Sequence, residues 1–162
     1  MAGGTGAGGG TVSDMRIRPP VAADHAAWLP LWQGYCTFYR ETLPAEITAG
    51  TWARLIAPDG AVRAVVAEDD DGRLVGFATY LFHPSTWSLG SYCYLEDLFT
   101  AEEARGRGVA RTLIEAVADA ARSARADRLY WMTHQDNATA QALYDRVAVR
   151  TGFIQYRKPI NG

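Results

Sequence analysis

The chain has 162 residues, a size that suits one domain, and 48% of them are apolar, enough for a sizeable core. A net charge of −2 and a pI near 5.9 exclude the global basic field that recruits nucleic acid. No apolar run is long enough to span a membrane.

Residues 1–14, MAGGTGAGGGTVSD, are glycine-rich and lack the charged-then-apolar build of a signal peptide. They read as a flexible tail ahead of a single domain over residues 15–162, in a cytoplasmic protein. Cys36 and Cys93 lie far apart without metal-ligand spacing, so no metal is expected. They read as buried free thiols, with a disulfide or a nucleophilic Cys93 as alternatives.

Residues 15–18 form a short strand stopped by Pro19 and Pro20, and Asp24 is placed to cap a following helix. In that helix Trp28, Leu31, Trp32, Tyr35 and Phe38 recur at helical spacing as one apolar stripe, for the core or for a substrate groove. A second helix fits residues 45–56. Two strands, 61–68 and 74–82, flank Asp69-Asp70-Asp71-Gly72, which reads as a hairpin turn. Its aspartates read as a solvated turn, with attraction of a cationic substrate as the alternative. A strand over residues 91–100 precedes a helix over 108–126 with Val109, Leu113, Val117 and Ala121 on one face. A strand over 128–133, a helix over 138–149 and a strand over 153–157 complete the order. The fold class is therefore α/β, a mixed central sheet with flanking helices.

Between the strand ending at Thr100 and the helix starting near Val109 lies Arg105-Gly106-Arg107-Gly108. Glycines let the backbone approach a ligand closely. The unpaired N–H groups of a helix start, aided by its dipole, then face a diphosphate. Arg105, Arg107 and Arg111 add donors suited to phosphate. Neither the dinucleotide fingerprint nor the Walker loop occurs.

The run LEDLFTAEEARGRGVARTLIEAV resembles the acetyl-CoA-binding motif of the GNAT acetyltransferases, whose Arg, Gly and Gly/Ala positions are met by Arg105, Gly108 and Ala110. LYWMTHQDNATAQALYDRV resembles the family's second motif through Asn137, Ala140 and Tyr144. Within the family the chain is most similar to the subgroup of yeast histone and polyamine acetyltransferases. Where most members have Gly-Phe, it has Ala148-Val149, and Gly152-Phe153 comes later.

The resemblance implies the GNAT fold and an N-acetyltransferase that moves the acetyl group of acetyl-CoA to a primary amine: a small amine, a polyamine or a lysine side chain. A non-catalytic acyl-CoA sensor is the alternative, since fold does not fix function. The cofactor contacts it implies are Leu98, Phe99, Thr100, Arg105, Gly106, Arg107, Gly108, Val109, Ala110, Arg111, Asn137 and Tyr144. Asn137 serves the pantetheine arm or caps its own helix. Tyr144 is the implied general acid near the sulfur. The amine must lose a proton, since at pKa ~10.4 only a few molecules in ten thousand are neutral at pH 7. Glu96 is the first candidate base, with Asp97, His134 or water as alternatives. Strand alternation puts Glu96 and Asp97 on opposite faces. A homodimer, with the C-terminal strand at its interface, is implied by the subgroup alone.

Overall fold

A computed structural model of the chain describes residues 15–160, so the glycine-rich stretch read as a tail lies outside the described residues. They fall into two compact units, one ending at Trp131 and one beginning at Met132.

The first unit is built on five strands: β1 (Arg16–Arg18), β2 (Val62–Glu68), β3 (Leu74–Pro84), β4 (Ser91–Thr100) and β5 (Arg128–Tyr130). They lie in sequence order across one sheet. The pairs from β1 to β4 are antiparallel, and β4 pairs with β5 in parallel. Helix α1 (His25–Phe38), α2 (Ala45–Leu55) and α3 (Val109–Ser123) complete the unit. A parallel pair needs a crossover, and α3 supplies it.

Two neighbouring residues of β3 show how the layers form. Phe77 packs against Trp28, Trp32 and Tyr35 of α1. Gly76 lies under α3, where an added Cβ would sit 2.9 Å from Val109 Cγ1. Successive strand residues point to opposite faces, so α1 and α3 cover the two sides of the sheet. That double cover explains the unbroken burial from Ala64 to Ala67 in β2 and from Val75 to Tyr80 in β3.

Several expected boundaries move. Asp24 does not cap α1; its carboxylate accepts from the Arg18 guanidinium at 2.6 and 2.9 Å and from the Val21 N–H at 2.7 Å. In the α1 stripe Trp28, Leu31 and Trp32 are buried, but Phe38 is half exposed. Helix α3 stops at Ser123 because Arg125 turns left-handed (φ 54°) and the Ala126 N–H bonds back to Ala121 C=O at 2.9 Å. Strand β5 has only three residues, since β4 is its sole partner among the described residues and the pairing ends at Tyr94 and Tyr130.

The acidic hairpin turn closes on itself. Asp69 accepts from the backbone N–H groups of Asp71 and Arg73, and the Arg73 guanidinium bonds both Asp69 and Asp71. Gly72 takes the positive φ of 76° that the turn demands. The reading as a turn therefore holds, with the charges of Asp69 and Asp71 spent locally.

The second unit carries α4 (Ala138–Val147). It ends two residues early because Ala148 is extended (φ −150°, ψ 175°). The strand expected over residues 153–157 is absent. No backbone there finds a ladder partner among the described residues, and Phe153, Ile154, Tyr156 and Ile160 are exposed.

Candidate active site

The register of β3 against β4 slips at one point. Thr79 pairs with Asp97 and Tyr80 with Leu95, so Glu96 is an extra residue in β4, a β-bulge. A bulge bends its strand and re-aims side chains. Two consequences follow. Beyond Tyr94, residues 95–100 have no strand partner on the β5 side among the described residues, which leaves an open row of backbone donors and acceptors. Strand alternation also breaks, so Glu96 and Asp97 do not point to opposite faces.

Both carboxylates work on the α1–α2 side. Asp97 Oδ2 accepts from the Thr79 hydroxyl at 2.5 Å, and the Asp97 N–H donates back to Thr79 Oγ1 at 3.2 Å. The Tyr35 phenol of α1 faces Asp97; burial first, then that charge, drives the phenol far above the ordinary tyrosine range. Glu96 is exposed along part of its side chain. Protein crowding its carboxyl raises its pKa, the Asp97 charge adds to the rise, and Arg54 of α2 opposes it. Phe99, two residues past Asp97, packs against α1 so closely that a Cβ on Gly34 would lie 2.7 Å from its ring. A groove of about 530 Å³ opens between α1 and α2, lined by Leu29, Trp32, Gln33, Cys36 and Glu41 among others.

On the other face, the strand end and the glycine turn meet. Thr100 pairs with Gly76, the residue on which Val109 rests. Thr100 Oγ1 is buried without a hydrogen-bond partner among the described residues. Gly106 and Gly108 adopt φ of 76° and 85°, which other residues rarely take, and a Cβ on either would meet no atom within 4 Å. The first α3 bond runs from Thr112 N–H to Gly108 C=O, so the amides of Val109, Ala110 and Arg111 have no intrahelical acceptor. Arg105, Arg107 and Arg111 are all exposed around them. An open cradle of amides and guanidinium groups, beside an orphaned hydroxyl, has the chemistry a diphosphate and its linker need.

In the second unit, Asn137 heads α4. Its Oδ1 accepts from Ala140 N–H at 3.3 Å and its Nδ2 donates to Thr133 Oγ1 at 3.2 Å, so it caps its own helix. Tyr144 is half-buried on α4. His134 is an exposed turn residue whose Nδ1 accepts from the Asp136 N–H at 3.3 Å. Of the two thiols, both free, Cys93 is fully buried and burial pushes it up to about 11, which suits a packing residue and not a nucleophile.

The Acetyltransferase (GNAT) family profile matches residues 26–148. The chain belongs to the GNAT acetyltransferases. This GNAT chain is 37% identical over 136 residues to the D-amino-acid N-acetyltransferase HPA3 of Saccharomyces cerevisiae, covering 83% of the chain and 84% of that relative. A solved structure of a probable acetyltransferase aligns with TM-score 0.80 at 28% identity, over 91% of this chain and 99% of its own. An aminoglycoside N-acetyltransferase, AAC(6')-Iy, solved in complex with CoA, shares the fold with TM-score 0.78 at 20% identity, over 92% and 97% of the two chains.

Sequence reading missed Thr79, Tyr35 and Arg54 as parts of this site. Tyr35 was visible as a member of a helical stripe. What it faces depends on the β3–β4 register, which no local pattern carries.

Proposed function

We propose that the chain transfers the acetyl group of acetyl-CoA to a primary amine by direct attack in a ternary complex. The observation that carries this reading is the open Gly106–Gly108 turn at the head of α3, next to a β4 end with no strand partner on its β5 side among the described residues. The turn and its arginines hold the diphosphate. Leu98, Phe99 and Thr100 offer backbone groups to the pantetheine arm. Glu96, directly or through water, takes a proton from the bound ammonium. The neutral nitrogen attacks the thioester carbon, the C–S bond breaks, and backbone N–H groups of β4 hold the oxygen as its charge grows. The leaving thiolate takes a proton from Tyr144, a role that rests on the family resemblance.

The acceptor is a primary amine on a small molecule, a polyamine or a lysine side chain. The carboxylates of Glu96, Asp97 and Glu41 on the α1–α2 side support a cationic acceptor. HPA3 is named for D-amino acids, so these belong in the acceptor panel with polyamines and lysine. Residues 15–162 act as one transferase domain, and we place it in the cytoplasm, in line with its free thiols. We read the chain as a homodimer, because apolar side chains of residues 149–160 stand in solvent.

Tyr144→Phe tests the enzyme reading against an acyl-CoA sensor. Turnover, followed by thiol release, is expected to fall by about 10²-fold or more, while acetyl-CoA binding by calorimetry stays near the parent value. Unchanged turnover removes Tyr144 from the mechanism. Binding of acetyl-CoA with no turnover on any amine favours the sensor.

A further inference from the structure

The two neighbouring carboxylates of the bulge are held differently. Asp97 is tied twice to one buried hydroxyl: it accepts from the Thr79 hydroxyl at 2.5 Å and gives its own N–H to the same oxygen at 3.2 Å, with the Tyr35 phenol facing it. Thr79 is itself 1% exposed and cannot swing away. Glu96 is the extra residue of the bulge, reaches solvent, and has no hydrogen-bond partner among the described residues. The geometry gives one fixed carboxylate and one free carboxylate on adjacent residues and on one side of the sheet.

We propose that Asp97 is a positioning residue: clamped across the bulge by Thr79, it holds a fixed negative charge beside Glu96 and so strengthens Glu96 as a base. A like charge nearby disfavours the ionised form and makes a carboxylate bind protons more firmly. A base that holds protons more firmly is better matched to an ammonium donor near neutral pH. The groups facing Glu96 are Asp97 and Tyr94 of β4, Tyr35 of α1 and Arg54 of α2. Among them only Arg54 is cationic, and it acts in the opposite sense to Asp97. The two set the proton affinity of Glu96 between them.

The inference rests on the reading of Glu96 as base, and the two are tested separately. Titration of the Glu96 side-chain carboxyl by carbon NMR reads the coupling without activity. Asp97→Asn is expected to move that titration to lower pH, and Arg54→Gln to higher pH. Thr79→Val, which unclamps Asp97, moves it down by a smaller amount, and Thr79→Ser, which keeps the hydroxyl, leaves it in place. In Asp97→Asn the acid limb of kcat moves to lower pH with it, a shift that a purely structural role would not produce. A Glu96 titration that is the same in the parent, Asp97→Asn and Arg54→Gln overturns the proposal. Should Asp97→Asn fail to fold, Thr79→Val carries the same test. Glu96→Gln decides the underlying reading: a loss of about 10²-fold in kcat supports it. Unchanged kcat removes Glu96 as base, whatever the titration gives.

Discussion

Arg18 ties the start of the chain to the sheet. Its guanidinium bonds Asp24 through both carboxylate oxygens and reaches Glu68 Oε2 at 2.8 Å, with Arg18 and Asp24 side chains 21% and 11% exposed. The bond from Arg18 first, aided by the Val21 N–H, holds the Asp24 carboxyl below its ordinary range. A depressed carboxylate stabilises the fold above its unfolded pKa, ~3.9, and that contribution is lost as pH falls through the folded value. Asp24→Asn is therefore expected to cost about 2 kcal/mol at pH 7 in denaturant unfolding, since it leaves a half-buried cation short of its partner. The gap between parent and variant should close as pH drops below about 4. A gap that stays constant with pH means the loss is one of shape and not of charge.

At the scale of elements, the glycines divide by what they need. Gly106 and Gly108 need their backbone angles and have empty space around them, so alanine costs about 1–2 kcal/mol each through φ alone. Gly76 needs space: its added Cβ would lie 2.7 Å from the Phe99 carbonyl and 2.9 Å from Val109. Gly76→Ala must push α3 away from β3 and β4, at a cost of about 1–3 kcal/mol. Because α3 begins at the glycine turn, the same shift misaligns the cradle. Expected with it is a clear rise in KM for acetyl-CoA and little change for the amine. Equal effects on both substrates would show that α3 is not the element displaced.

The same division explains what was legible beforehand. The turn at Arg105 to Ala110 could be read because its chemistry is local: two glycines, three arginines and a helix start are adjacent in sequence. Strand β4 and helix α2 could be read to within a residue from their own apolar periods. The bulge at Glu96 could not, because it exists only in the register of β4 against β3. Misreading it put Glu96 and Asp97 on opposite faces, and hid Thr79 and Tyr35. The strand over residues 153–157 failed for a related reason. Its composition suits a strand, but a strand also needs a partner, and none of the described backbone pairs with it.

For the whole molecule that unpaired segment has a consequence. Val149, Phe153, Ile154, Tyr156 and Ile160 are each at least three-quarters exposed, within a dozen residues. A monomer that leaves so much contiguous apolar surface in water forgoes the transfer free energy of every one of them, about 1.5–3 kcal/mol per large side chain. A second copy of the chain can cover the segment and supply the strand partners its backbone lacks among the described residues. The full chain is thus expected to sediment at twice its 17.7 kDa. Truncation after Ala148 is expected to yield the monomer mass, with acetyl-CoA binding at the glycine turn retained. A monomeric full chain would reject the dimer, and a truncated chain that stays dimeric would move the interface elsewhere.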